Sequence, residues 1–250
     1  MLQHRRALSP DAYSQILRHG DPLGSRVIVA FAAVAGIAVI LRDSRSWEIP
    51  PRDRFGLLLA VFLGGILGAT IPAFVAGGWI QGVAMRQAIG PKSILGGLAF
   101  GFFGAAIYKK VRHIPLDTSD AFAPGTALMM AIGRLGCFVN HCCFGIEWPR
   151  PLGLDFGDGV PRLPVQLVEA ACTFALFVAL AWMQARNVLP HRRLFILLAA
   201  YGVERFLLEF LRAPISAVVF GLGAYHWFAL ALATLGAFQI LRRTRKYARN

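Results

Sequence analysis

Seven apolar stretches, near 27–41, 55–80, 93–108, 121–144, 164–185, 194–211 and 217–241, take up most of the 250 residues. A bilayer crossing needs about 20 mostly apolar residues in a helix, and backbone polar groups inside lipid must pair within their own segment. A chain with seven such runs has few folds open to it. Only 16% of the residues are charged, against roughly 25% in soluble domains, and the mean hydropathy is +0.57. The expectation is an all-α polytopic membrane protein of about seven transmembrane helices. The first run follows a polar, Arg-containing tail as a signal peptide's would, but Arg42 and Asp43 stand where small cleavage-site residues belong, so it reads as a short membrane helix.

The net charge of +13 suggests nucleic acid only until the charges are placed. Fifteen Lys and Arg fall in the loops after runs one, three and five and in the C-terminal tail; nine fall in the alternate loops and the N-terminal tail. The positive-inside rule then puts the C-terminus in the cytoplasm and the N-terminus outside. This is a multi-pass plasma-membrane pattern with no call for a nucleic-acid partner. Residues 1–25 read as a polar tail, 26–241 as one transmembrane domain and 242–250 as a basic cytoplasmic tail. The proline- and glycine-rich stretch 145–163 reads as a small extracytoplasmic head loop. Residues 77–92 read as an amphipathic connection with Trp79 as an interface anchor.

Ionisable residues within membrane runs are costly and mark functional sites. Arg134 lies well inside the fourth run and Glu169 near the start of the fifth, three residues after Gln166. In "AYGVERFLLEFLRAP", Tyr201, Arg205, Glu209 and Arg212 share one helical face by spacing. Two readings are open: ion pairs that lock the bundle, or guanidiniums that hold a phosphate in a fork. Anionic phospholipid is the phosphate at hand in a membrane. The glycines Gly64, Gly65 and Gly68, and Gly96, Gly97, Gly101 and Gly104, suit either close helix packing or the floor of a lipid groove.

The segment "AIGRLGCFVNHCCFG" at 131–145 sets Cys137, Asn140, His141, Cys142 and Cys143 behind Arg134. Its thiol spacing does not match a zinc pattern, so no metal is expected. If the helix continues, Arg134, Cys137 and His141 line one wall.

This segment resembles the signature of the bacterial prolipoprotein diacylglyceryl transferases, close to G-R-[IL]-G-N-F-[IL]-N-G-E. Five more stretches resemble that family's motifs in the same order: "FLGGILGA" at 62–69, "ILGGLAFG" at 94–101, "SDAFAP" at 119–124, "LPVQLVEA" at 163–170 and "YGVERFLLEFLRAP" at 201–214. Against the family pattern, Ile66 replaces an arginine, Leu95 the histidine proposed as base, Cys137 an asparagine, Cys142 a glutamate and Leu163 a histidine. The headgroup half of the site looks kept and the acid–base half altered, as in a divergent member.

The resemblance implies transfer of a diacylglyceryl group from phosphatidylglycerol to the lipobox cysteine of a prolipoprotein signal peptide, without a cofactor. It implies Arg134, Arg205 and Glu209 as catalytic residues; with Leu95 at the family's base position, His141, the one histidine near the signature, is the candidate base by its place in this sequence. Asp120, Asn140, Gln166, Glu169, Tyr201, Arg212, Gly96 and Gly97 would bind substrate. The alternative is a non-catalytic or transport relative that binds or moves an anionic phospholipid.

Overall fold

The computed structural model describes residues 15–78, 94–212 and 218–247; Trp79 and most of its connection, like the first fourteen and last three residues, lie outside them. Among the described residues seven long helices follow in order: α1 (Pro22–Asp43), α2 (Pro51–Gly78), α3 (Ile94–Val111), α4 (Ala123–Val139), α5 (Val165–Ala185), α6 (Arg193–Glu209) and α7 (Ala224–Tyr247). Two short antiparallel hairpins, β1 (Leu154–Asp155) with β2 (Pro161–Arg162) and β3 (Val218–Val219) with β4 (Leu222–Gly223), are the strands among the described residues. Among the described residues six helical spans are long and apolar enough to cross a membrane, α4 among them only with the 3₁₀ turn before it; α6, with 17 residues, is the helix left out. Large apolar side chains such as Phe62, Ile107, Val178 and Phe238 are more than half exposed. Lipid covers such surface without penalty, and the chain is a multi-pass membrane protein.

The helix starts follow local chemistry. Pro22 and Pro51 open α1 and α2, where the missing N–H has no partner to lose. Asp21 caps α1 by accepting from the Leu23 and Gly24 N–H groups at 3.0 and 2.8 Å. Asp120, on a 3₁₀ turn at Ser119–Phe122, accepts from the N–H of His191 at 2.5 Å and of Arg193 at 2.9 Å, at the start of α6. The negative carboxylate thus meets the positive end of that helix.

The chain divides into two compact units. One holds α2, α3, the first part of α6 and α7. Here α2 and α3 meet along a glycine seam. A Cβ on Gly64 would come within 2.5 Å of the Phe100 carbonyl oxygen, and one on Gly104 within 2.5 Å of the Ala60 carbonyl oxygen. Gly97 faces the Gly65 carbonyl, and Gly68 the Gly96 carbonyl. These backbones approach as only small residues allow.

The other unit holds α1 up to Ile40, α4, residues 140–164, α5 and residues 204–215. Helix α4 packs along α5. After α4 the chain turns through His141 (φ 51°) and Cys143 (φ 63°), both left-handed. The segment 145–163 then returns on itself. Gly145 N–H donates to the Leu163 carbonyl at 2.8 Å, and Trp148 N–H to that of Pro161 at 3.0 Å. Asp155 accepts the N–H groups of Gly157, Asp158 and Gly159, and Arg162 forks Asp158 at 2.6 and 2.7 Å. Ile16, Phe144 and Phe156 form a small core with Phe138 against it.

Candidate active site

Five charged side chains of the second-described unit, Arg134, Glu169, Arg205, Glu209 and Arg212, form one ion-pair network. Glu169, one turn into α5 and fully buried, takes a guanidinium on each oxygen: Arg134 Nη2 lies 2.5 Å from Oε1 and Arg212 Nη2 2.7 Å from Oε2. Arg205 meets Glu209 at 2.7 Å across one turn of α6, and Glu209 also lies 4.0 Å from Arg212. Three arginines therefore share two carboxylates, all with side chains no more than 13% exposed. Desolvating these charges costs several kcal/mol per ion unless each is paired, and the pairing is incomplete. Arg205 Nη1 is buried with no hydrogen-bond partner among the described residues.

The helical stripe expected at 201–212 is cut short. Helix α6 ends at Glu209. The next residues form a turn in which Arg212 N–H donates to the Glu209 carbonyl. Residue 212 then bridges the strand-like Gly145, which sends its side chain to Glu169 rather than along the helix. Tyr201 is buried, 1% exposed, and lies with Asp120, Gly96 and Gly97 in the first-described unit. There Asp120 is engaged at the start of α6, and the two glycines lie in the seam.

The wall of Arg134, Cys137 and His141 expected from a continuing helix does not form, because α4 stops at Val139. Asn140 N–H still reaches the Gly136 carbonyl at 3.0 Å. The left-handed His141 then turns toward the head, where its Nδ1 donates to the Phe156 carbonyl at 2.9 Å and its ring packs edge-on against Phe156. With Nδ1 carrying that proton, Nε2 is left as an acceptor when the ring is neutral. Arg134 and Cys137 do meet: Nη1 points at Sγ from 4.0 Å. Gln166, fully buried, donates to the Cys142 carbonyl at 2.9 Å, and its own Oε1 has no partner among the described residues.

Three features escaped the sequence. Glu204 accepts from Thr173 Oγ1 at 3.4 Å, and both belong to the arginine-bearing unit. Thr173 stands four residues after Glu169 and Glu204 beside Arg205, so helical spacing could have found them. The third is the thiols, whose spacing argued against a cluster: Cys137, Cys142 and Cys143 hold their three Sγ atoms within 4.8 Å of one another.

Comparison with known proteins bears on this arrangement. The family model described as prolipoprotein diacylglyceryl transferase matches residues 26–242. A phosphatidylglycerol–prolipoprotein diacylglyceryl transferase of Mycolicibacterium paratuberculosis is 31% identical over 238 residues, covering 82% of this chain and 56% of that protein. One from Streptomyces coelicolor is 34% identical over 176 residues, covering 67% and 51%. One from Clostridium tetani is 27% identical over 234 residues, covering 86% and 90%. The chain thus spans about half the length of the first two relatives and nine-tenths of the third. With the match running through all seven helices and every residue of the buried arginine–glutamate network, the chain belongs to the prolipoprotein diacylglyceryl transferase family.

Proposed function

We propose that the chain transfers the diacylglyceryl group of phosphatidylglycerol to the lipobox cysteine thiol of an exported prolipoprotein, releasing glycerol 1-phosphate. The observation that carries this reading is Arg205: it is buried in a network of three guanidiniums, and its Nη1 has no hydrogen-bond partner among the described residues. A phosphate is the planar-fork acceptor that such a group suits. The names of the relatives supply the substrate pair.

In this mechanism Arg205 binds the phosphate and stabilises the charge that grows on it as the glyceryl C–O bond breaks. Fixed guanidiniums do this without reorganising at the transition state. Glu209 holds Arg205 in place, and Glu169 does the same for Arg134 and Arg212. The acceptor sulfur attacks the glyceryl carbon after giving up its proton, for which His141 Nε2 is the base. Asn140 belongs to substrate binding in this reading, as does Gln166 through its hold on the Cys142 turn; for Asp120, Tyr201, Gly96 and Gly97 that role rests on the family resemblance alone. The distribution of basic residues supports a cytoplasmic C-terminus and an extracytoplasmic N-terminus and head loop.

The test is reconstitution with phosphatidylglycerol vesicles and a lipobox peptide. A diacylglyceryl mass gain on the peptide cysteine, absent with the Cys→Ser peptide, is the expected result. Lipid binding without any gain would instead identify a non-catalytic lipid-binding relative.

A further inference from the structure

We propose that Cys137, Cys142 and Cys143 form a three-thiolate site for a thiophilic divalent cation, zinc in the first instance, with its fourth position open to the acceptor thiol. That last role rests on the transferase reading above; the metal site itself does not.

The argument starts from the backbone. Cys137 is in the last turn of α4, and the chain must double back to bring residues 142 and 143 beside it. It does so by placing two non-glycine residues, His141 and Cys143, in left-handed conformations, each costing roughly 1–2 kcal/mol. Cys142 N–H closes the turn on the Cys137 carbonyl at 3.1 Å, and buried Gln166 fastens the Cys142 carbonyl. The result is three Sγ atoms within 4.8 Å of one another, all on partly exposed residues. Thiols that served only as packing would not need this turn.

The spacing and charge suit a metal. Zinc–thiolate bonds of about 2.3 Å in a tetrahedron set sulfurs about 3.8 Å apart, within reach of small side-chain rotations from the observed cluster. Binding releases one proton from each thiol and changes no oxidation state. Arg134 Nη1 faces Cys137 Sγ, and Arg134 and Arg212 both act electrostatically on Cys143. These cations offset the charge of a thiolate-rich centre and hold its ligands from behind. Three sulfurs select a soft ion, and zinc bound by three protein ligands keeps one position free. A thiol that takes this position is deprotonated outright. The site would thus do part of what the family's histidine does, in a chain that has Leu95 in its place.

The test uses the full-length reduced protein in detergent, loaded with zinc or cobalt(II) and freed of excess metal. One ion per chain is expected, with the thiolate-to-cobalt charge-transfer absorption of a sulfur-rich site. Cys137→Ser and Cys142→Ser should each lower zinc affinity at least tenfold, while Cys172→Ser leaves it unchanged. A lipobox peptide should shift the cobalt d–d bands, and its Cys→Ser form should not. Failure of the wild-type protein to hold a stoichiometric ion, equal retention by the Ser variants, or a response to copper(I) alone overturns the site. Loss of zinc in His141→Ala would make the site closed and overturn the open position, as would unshifted bands. Transfer that survives complete metal removal overturns the ion's role toward the acceptor thiol while leaving the transferase reading intact. Cobalt and peptide binding with no transfer from phosphatidylglycerol does the reverse.

Discussion

Arg212 and Glu169, 43 residues apart in the chain, meet at 2.7 Å with the carboxylate wholly out of solvent. The same carboxylate takes Arg134 on its other oxygen. Removing one partner of a buried pair strands the rest, at a cost of about 3–5 kcal/mol. Glu169→Ala strands two guanidiniums at once. It is expected to lower the thermal midpoint in detergent by on the order of 10 °C and to abolish transfer. Glu169→Gln, which keeps the volume, should recover part of the midpoint and none of the activity. Unfolding followed by tryptophan fluorescence, beside the peptide assay, checks both.

Arg205 should behave differently. Its loss leaves Glu209 still near Arg212, so Arg205→Ala is expected to insert and fold while transfer falls by about 10²–10³, the loss typical of removing one transition-state donor. Arg205→Lys should fail as well, because an ammonium does not reproduce the guanidinium fork. Arg134→Ala and Arg134→Lys should also abolish transfer with membrane insertion retained. Near-normal turnover in both lysine variants would dismiss the phosphate clamp.

For His141 the informative change is to asparagine, which accepts a left-handed backbone but offers no base. His141→Asn is expected to reduce transfer about a hundredfold with little change in stability. An unaltered rate would move the base elsewhere.

The head loop carries its own acid sensitivity. Hydrogen bonds from Arg162 hold the Asp158 carboxyl below its ordinary range, and the Gly157 N–H and its neighbours do the same for Asp155. Both shifts are downward, so their contribution is fully present above the usual carboxylate pKa of about 4 and is lost as pH falls through the lower folded values. Amide exchange at Gly157 and Gly159 should be flat from pH 8 to 5, after correction for intrinsic rates, and should lose protection below about pH 4. Asp155→Asn should remove most of that response.

Asp120 separates a cap from a substrate contact. Asp120→Ala should cost about 1 kcal/mol by freeing the start of α6, and Asp120→Asn, which keeps one acceptor oxygen where the carboxylate uses both, roughly half of that. If the asparagine variant is stable yet cannot transfer, the carboxylate has a role with substrate beyond the cap.

The membrane character of this chain was plain in its apolar runs, since spans of that length have few other folds open to them. Arg134, Glu169, Arg205, Glu209 and Arg212 were visible for the same reason: a charge in such a run is conspicuous. Their partners were not. Helical periodicity assigned Arg212 to the α6 stripe, because nothing in "EFLRAP" shows that the helix ends at Glu209 and that residue 212 pairs with Gly145. Periodicity likewise carried α4 through His141. Glycine is the usual sign of a left-handed turn, and residues 141 and 143 are His and Cys. The thiol cluster was hidden by that same turn, since side chains five and six residues apart come together only if the helix ends between them.

The brevity of α6 has a consequence for the bilayer around it. Seventeen helical residues rise about 25 Å, short of a hydrocarbon core of about 30 Å. A lipid leaflet meets such mismatch by thinning. Residues 210–212 just past the helix end are paired, Ile146 N–H with the Leu211 carbonyl and Arg212 in a bridge with Gly145, so this turn can sit at hydrocarbon depth. A thinned leaflet lowers the headgroup layer toward Arg205 and Arg212, and a phospholipid could then present its phosphate to the guanidiniums with its acyl chains still in the membrane. Host membranes of different thickness should therefore differ in how readily they deliver lipid to this site.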